Sequence, residues 1–111
     1  MRLPNADNAI VSAEKLRDYI LSPSHTVGAK KAVAFAAAGY RQGSWWRLRH
    51  DLKRLARTGE AEELNLTIHG RKFVVRGTLD GPLRALDVVT IWIVLRRERF
   101  PRFVTAYPER P

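Results

Sequence analysis

The longest uninterrupted apolar run lies late in the chain, at residues 87–95, which read DVVTIWIVL. After Asp87 it carries no charge, Gly or Pro, and its β-branched and aromatic residues are typical of a strand buried on both sides. Because alternate residues of a strand face opposite sides, the run has one all-aliphatic side, formed by Val89, Ile91, Ile93 and Leu95. We expect this aliphatic side to pack against helices, and the side with Thr90 and Trp92 to face a cleft.

Apolar positions spaced three and four residues apart predict three helices in the first half of the chain. The first begins after Ser12, a favourable N-cap residue, and covers residues 13–21. The second covers 30–38, is rich in alanine, and is followed by Gly39 at the position of a C-terminal left-handed residue. The third covers 45–57.

From residue 64 onward the apolar period changes to two, which predicts strands separated by turn residues. The predicted strands are 64–68, 72–77, 87–95 and 102–107. Short connections between successive strands favour an antiparallel meander. The predicted fold class is therefore α+β, with three N-terminal helices packed on one face of a four-stranded antiparallel meander sheet. We expect one domain over residues 1–111, mainly helical over 1–59 and an antiparallel sheet over 60–111.

Charge narrows the range of partners. The chain has 20 Lys+Arg against 11 Asp+Glu, a net charge of +9 at pH 7, and such a field attracts polyanions. Nucleic acid is the favoured partner, while a basic surface that docks an acidic protein or only confers solubility stays open. Arg49, Lys53 and Arg57 lie four apart on the third predicted helix, where they suit phosphate groups or a solvated helix face.

Several classes of protein are excluded or disfavoured by what the chain contains. It has no cysteine, so disulfides and thiolate metal ligands are impossible. The first residues do not form a signal-peptide pattern and no run is long enough to span a bilayer, so we expect a cytoplasmic site of action and no membrane partner. The histidines His25, His50 and His69 stand in unrelated contexts and the carboxylates are scattered, so we expect neither a metal nor a cofactor.

What remains is a metal-free site for phosphate chemistry. His25 precedes the second helix, with Lys30 and Lys31 soon after it. A histidine can take or give a proton near neutral pH, and a lysine can neutralise an anionic transition state. The last two strands add groups that can hydrogen-bond a phosphate: Thr90, Arg102, Thr105 and Tyr107. Together these groups suit RNA cleavage by attack of the 2′-OH on the adjacent phosphate.

Each of these residues also fits an ordinary structural role. His25 could cap a helix or lie on the surface, and threonines are common in packed strands. Trp92 and Tyr107 fit core or rim positions as well as base-stacking ones. The joint occurrence of the groups, in a basic chain without metal ligands, is what favours a ribonuclease.

The chain resembles a small uncharacterised bacterial domain family. The residues that carry the resemblance are SPSH, KAVAF and GY around the second helix, VTIWI in the long apolar run, and PRFVTAY near the end. The similarity covers nearly the whole chain. It departs from the family pattern at Thr26, where a proline is expected, and at Ala34, where a phenylalanine is expected.

More distantly, the layout resembles toxin domains of contact-dependent inhibition and other polymorphic toxin systems, which have the barnase–EndoU–colicin–RelE type of fold. This resemblance implies a metal-independent ribonuclease, with tRNA as one class of substrate, held off by an acidic cognate antitoxin or immunity protein. Carried over residue by residue, it implies a catalytic set of His25, Lys31, Thr90, Arg102, Thr105 and Tyr107. The residues expected to bind RNA are Lys30, Arg49, Lys53, Arg57 and Trp92.

The working hypothesis is thus a ribonuclease toxin of a toxin–antitoxin or toxin–immunity pair. Two alternatives stay open. One is a non-catalytic module that binds RNA or an acidic protein through Arg49, Lys53 and Arg57. The other is a partner on the antitoxin side of such a system.

Overall fold

The computed structural model describes residues 1–24 and 29–109, with the backbone alone at residues 29 and 30. Its α-helices are α1 (Ala13–Lys15), α2 (Ala29–Ala37) and α3 (Trp45–Thr58). A π-helical segment, Leu16–Ile20, continues α1, and short 3-10 helices cover Ala6–Asn8 and Gln42–Ser44. Among the described residues, none of the helices is long and apolar enough to cross a membrane.

Four antiparallel strands follow the helical half and form one sheet in the order β1-β2-β3-β4. The strands are β1 (Glu60–Leu66), β2 (Gly70–Asp80), β3 (Ala85–Leu95) and β4 (Arg102–Pro108). Across the middle of the sheet, Val75 pairs with Thr90, and Thr90 pairs with Ala106. These three residues are buried, and the side of the sheet to which they point is called the core face below.

Helix α3 covers the core face through its apolar stripe. Leu48, Leu52 and Leu55 are buried, and α3 packs against β2. The approach is close at Gly77, where a Cβ atom would lie 2.2 Å from Leu55 Cδ1. Glycine at this position therefore lets the helix sit directly on the strand.

The N-terminal segment crosses from one edge strand to the other. Ala61 N of β1 donates to Met1 O at 2.8 Å, while Ile10 N donates to Pro101 O at 2.9 Å beside β4. Phe103 N returns a bond of 2.8 Å to Ile10 O, which makes a parallel bridge on the outer edge of β4. The start of β4 is thus paired on both sides.

The chain is α+β with a four-stranded antiparallel sheet, but the predicted fold class of three N-terminal helices packed on one face is wrong as stated. The predicted first helix is one turn of α-helix followed by a π-helical segment. Two 3-10 helices and the parallel bridge at Ile10 are additional elements. Among the strands, α2 contacts chiefly the edge strand β4, and its buried Phe35 belongs to the core. Periodicity in the sequence shows which side of a helix is apolar but not which strand that helix contacts.

The prediction for the two sides of β3 is also wrong. Thr90 and Trp92 lie on the core face and are fully buried, whereas Val89, Ile91 and Ile93 point to the opposite side, called the outer face below. The physical reason is that the polar atoms of the Thr90 and Trp92 side chains form hydrogen bonds within the sheet and can therefore be buried. Trp92 Nε1 donates to Thr90 Oγ1 at 2.8 Å, and Thr90 Oγ1 donates to the Val75 carbonyl at 2.7 Å. Once its N–H is paired, the indole buries more apolar surface than any aliphatic side chain of the strand.

Replacing Thr90 with valine should destabilise the protein by about 1–3 kcal/mol, because the substitution leaves the buried Trp92 N–H without an acceptor. Thr90→Ser keeps the hydroxyl and should cost about 1 kcal/mol through the lost methyl group. Urea unfolding followed by tryptophan fluorescence measures both values. The matched control is Thr78→Val, which removes an exposed hydroxyl bound to Asp87 and should change stability by less than about 0.5 kcal/mol. Equal stabilities for Thr90→Val and wild type would contradict this account of the core.

Candidate functional site

Three polar side chains from three elements meet beside the outer strand β4. Tyr19 comes from the π-helical segment, Lys31 from α2 and Thr105 from β4. Lys31 Nζ donates hydrogen bonds to Tyr19 Oη and, at 2.9 Å, to Thr105 Oγ1. The ammonium also lies 4.8 Å from the centroid of the Tyr19 ring, a cation–π distance. We call this group the Lys31 cluster.

A β-bulge in β4 determines the direction of Thr105. Trp92 pairs with Phe103 and Ile91 pairs with Thr105, so Val104 is an extra residue. Phe103 and Ala106 both point into the core, which an unbroken strand could not achieve over three residues. The extra residue turns Thr105 to the outer face, where bulges commonly re-aim a side chain. Tyr19 and Lys31 therefore reach Thr105 around the β4 edge.

A second lysine flanks the cluster. Lys15 Nζ donates to the carbonyl of Val104, the bulged residue, at 2.9 Å. Lys15 is the last residue of the single turn α1, and its backbone N–H donates to the N-cap Ser12 Oγ at 3.1 Å. Since Tyr19 follows Lys15 by four residues, both side chains reach the β4 edge.

The surroundings of Tyr19 lower the pKa of its phenol. The main cause is the hydrogen bond from Lys31, followed by the hydrogen bond with Thr105; partial burial acts in the opposite direction. The positive charges of Lys31 and Lys15 add to the lowering. The segment that carries Tyr19 is closed by an i to i+5 bond, from Leu21 N to Leu16 O at 2.8 Å. Such π-helical turns are frequent at functional sites.

By contrast, the buried Tyr40 has its pKa raised, chiefly by desolvation and secondarily by its hydrogen bond to Asp51. Tyr40 is a core residue, 1% exposed. The two tyrosines therefore differ in the direction of their shift, and the lowered pKa occurs at the Lys31 cluster.

The structure joins only part of the predicted catalytic set. Lys31 and Thr105 are in contact. Tyr107 shares the outer face with Thr105 two residues along β4 and is 41% exposed. Arg102 also faces outward, opposite Ile93, but Glu98 binds its guanidinium through two bonds of 2.8 and 3.1 Å. His25 lies outside the described residues.

Thr90 and Trp92 do not belong to this site. The register pairs Thr90 with Ala106, so Thr90 and Thr105 lie on opposite sides of the sheet. The prediction that Thr90 and Trp92 face a cleft is wrong, because both are fully buried and their polar atoms are satisfied within the core. The register and the bulge, neither of which the residue pattern reveals, decide this outcome.

The remaining residues predicted to bind RNA lie mainly on α3. Arg49 stacks over the Trp45 ring at 4.7 Å, Lys53 is half-buried and Arg57 is exposed. Within the part of the chain that the structure describes, none of these three cations forms an ion pair. The side chain of Lys30 is outside the described atoms. The roles of these four residues stay predictions.

Two members of the site were missed by the sequence reasoning, Lys15 and Tyr19. Both were counted as part of an ordinary amphipathic helix. Their four-residue spacing, with Lys31 in the next helix, is the only signal that could have indicated them. As for metal ligands, residues 1–24 and 29–109 contain no cluster of three or more histidines and carboxylates that could hold an ion.

The fold is found in a protein of known structure. A chain of a contact-dependent growth inhibition toxin–immunity protein complex from Klebsiella pneumoniae 342 superimposes with a TM-score of 0.64 over 96% of this chain and 98% of that chain, at 17% sequence identity. At this identity the similarity concerns the fold alone. The chain belongs to the family of the domain of unknown function DUF6883, whose model matches residues 2–110. No curated protein matches the sequence.

Removing the ammonium of Lys31 should raise the pKa of Tyr19 back toward that of an ordinary tyrosine, since Lys31 is the main cause of its lowering. Lys31→Met keeps the length of the side chain and removes only the charged donor. A pH titration of tyrosinate absorbance measures the change, with the Tyr19 transition assigned by its loss in Tyr19→Phe. Arg84→Met, which removes a cation in the β2–β3 turn, should leave the transition in place. A Tyr19 titration that Lys31→Met does not move would contradict the described cluster.

Proposed function

We propose that this protein is a metal-independent ribonuclease and acts as the toxin of a toxin–antitoxin or toxin–immunity pair. The observation that carries the proposal is the Lys31 cluster. It gathers an ammonium, a phenol of lowered pKa and a hydroxyl around one point at the edge of the sheet. The net charge of +9 supports a polyanionic substrate.

The cluster has donors to offer to a phosphate. An ammonium has three N–H donors, and Tyr19 and Thr105 accept two of those of Lys31. The third can bind a phosphate oxygen, with Lys15 adding positive charge beside the bulge. Such preorganised cations stabilise the extra negative charge that develops when a nucleophile attacks phosphorus.

The proposed reaction needs one proton acceptor and one proton donor. The 2′-oxygen attacks the adjacent phosphorus, its proton passes to His25, a P–O2′ bond forms and the P–O5′ bond breaks. Tyr19 gives its proton to the departing 5′-oxygen, which a lowered pKa makes easier. The products are a 2′,3′-cyclic phosphate and a 5′-hydroxyl, and no oxidant, water or metal enters this step. His25 keeps the role assigned by the sequence, while Thr105 and Tyr107 position the phosphate.

The shared fold with a chain of a toxin–immunity protein complex supports a cognate partner protein. For a toxin of this charge, the partner is an acidic antitoxin or immunity protein that covers the Lys31 cluster. The proposed site of action is the cytoplasm, where RNA is accessible. Tyr107 and the half-buried Ile91 beside Thr105 offer apolar contacts to such a partner.

Purified protein should cleave total RNA and tRNA in the presence of EDTA and leave 2′,3′-cyclic phosphate ends. Lys31→Met should reduce the rate about 100-fold or more, as expected for the loss of a group that stabilises transition-state charge. His25→Ala should reduce it by a factor in the range of about 10²–10⁴. End-group analysis of a labelled oligoribonucleotide measures the products, and Arg84→Met serves as the charge-matched control with unchanged activity.

An inactive wild type on both RNAs, or a fully active Lys31→Met variant, would overturn the proposal. Salt-sensitive RNA binding without turnover would instead favour the binding-module alternative, in which Arg49, Lys53 and Arg57 of α3 hold the ligand. These three cations carry no ion pair within the described residues, which is the observation in favour of that alternative.

The rate of cleavage should fall at alkaline pH, because a general acid must be protonated to act. Tyr19 has a lowered pKa, so the fall should begin at a lower pH than the ordinary titration of a tyrosine. Tyr19→Phe should be slow at all pH values and lose this alkaline limb. The measurement is kcat/KM against pH. An alkaline limb that survives in Tyr19→Phe would assign the proton donor to another group.

A further inference from the structure

We infer that the turn between β3 and β4 is a docking site for single-stranded RNA, one that leads the strand to the Lys31 cluster. The site consists of Arg97, Arg99 and Phe100, and it is called the arginine turn below. The inference rests on the proposed function for its class of substrate. Nothing in the proposed reaction uses these residues.

The arginine turn is held in place from three directions. Arg96 N donates to His69 O of the neighbouring turn at 3.0 Å, and Glu98 N donates to Leu95 O at 3.0 Å. Asn5 Nδ2, from the N-terminal segment, donates to Arg99 O at 3.0 Å. Arg97 adopts a left-handed backbone with φ of 69°, a conformation that a non-glycine residue keeps only where its surroundings determine it. A turn fixed in this way loses little conformational entropy when it binds a ligand.

The turn carries positive charge that no carboxylate within it neutralises. Glu98 is its only carboxylate, and Arg102 binds both of its oxygens. Arg97 and Arg99 are exposed and, within residues 1–24 and 29–109, form no ion pair. Three guanidinium groups of the turn, those of Arg96, Arg97 and Arg99, therefore remain for an external anion among the described residues, and Arg97 and Arg99 are the two that line the cavity beside Phe100.

The turn also presents an apolar surface beside these charges. Phe100 is 41% exposed. A cavity of about 360 Å³ lies next to it, lined by Ile10, Arg97, Glu98, Arg99, Phe100 and Arg102. Aromatic rings and guanidinium planes beside a cationic groove are the groups on which unstacked bases of a single strand stack. A duplex, whose bases are already stacked, would gain less from Phe100.

The turn is connected to the Lys31 cluster by the outer edge of β4. Ile10 is bonded to Phe103, Lys15 to Val104, and Lys31 to Thr105, one after another along the strand. Because Val104 is bulged, Arg102 and Thr105 lie opposite Ile93 and Ile91, two residues apart on β3, which corresponds to roughly 7 Å along a strand. A single strand with one phosphate at Lys31 can thus follow this edge, past Lys15, to the arginine turn.

The test uses the full chain and a 12-residue 2′-O-methyl oligoribonucleotide, which lacks the nucleophilic 2′-OH and cannot be cleaved by the proposed reaction. Arg97→Ala/Arg99→Ala should bind it more weakly. The slope of log K against log salt should decrease in magnitude by about 1.4, because about 0.7 is lost for each single-strand phosphate contact. The matched control is Arg47→Ala/Arg84→Ala, which removes two exposed arginines near Pro82 at the β2–β3 turn. The control should keep the wild-type slope. Equal slopes for wild type and Arg97→Ala/Arg99→Ala would overturn the inference.

A second variant tests the stacking contact. Phe100→Ala should raise the Kd for the single strand about fivefold or more and leave the salt slope unchanged, because it removes a stacked base and no charge. Its control is Leu83→Ala, an exposed residue of the β2–β3 turn. A Phe100→Ala variant that binds single-stranded and duplex oligonucleotides with the same affinities as wild type would also count against the inference.

The outcomes separate this inference from the proposed function. If wild type cleaves RNA and the arginine-turn variants bind as wild type does, the docking site fails and the ribonuclease stands. If wild type binds the oligonucleotide through the arginine turn but cleaves no RNA, the docking site stands and the ribonuclease fails. If the variants lose binding only to poly-L-glutamate, the turn docks an acidic protein and the inference is overturned.

Discussion

Burial of Trp92 on Thr90 is the interaction on which the rest of the arrangement depends. The indole N–H donates to an acceptor in the same strand, the Thr90 hydroxyl, and this hydroxyl donates a hydrogen bond to the Val75 carbonyl. The largest side chain of β3 can then lie in the core at no cost in unsatisfied polar groups. Because strand residues alternate, this choice sends Val89, Ile91 and Ile93 to the outer face. The outer face of β3 thus carries the buried Val89 and the half-buried Ile91 and Ile93, beside Thr105 and Tyr107 of β4.

The bulge at Val104 places a hydroxyl of β4, that of Thr105, where the Lys31 cluster forms. It lets Phe103 and Ala106 both contribute to the core while Thr105 points outward. The π-helical segment and α2 then close around the β4 edge and bring Tyr19 and Lys31 to Thr105. The bulge in β4 and the π-helical segment are thus both located at the Lys31 cluster. Departures from regular geometry are costly unless the surroundings hold them, and they concentrate where side chains must be aimed.

Charge is organised along the same edge. Arg102, which the sequence suggests as a phosphate ligand, is engaged by Glu98, and Arg97 and Arg99 on either side of that carboxylate are left without ion pairs among the described residues. Beyond the turn, Lys15 and Lys31 follow one another along the same strand, at Val104 and Thr105. Lines of cations suit a flexible polyanion, whose charges are themselves arranged along a backbone. The cations of α3 lie on a different element, which packs against β2.

The sequence by itself determined the α+β class, the third helix with its Leu48, Leu52 and Leu55 stripe, and the four antiparallel strands. It also singled out Lys31 and Thr105, which the structure brings into contact. The elements follow from periodicity and turn residues, which are local properties of the chain, and the two residues from its resemblance to toxin domains. Only the tertiary structure decided which face of β3 is buried, since both sides are apolar enough for a core and the hydrogen bond from Trp92 to Thr90 settles the choice. It also decided that Thr90 and Thr105 lie on opposite sides, because a single extra residue in β4 reverses the direction of every side chain that follows. Lys15 and Tyr19 join the site because a short π-helical segment brings them to the edge of β4, a placement that their four-residue spacing alone does not specify.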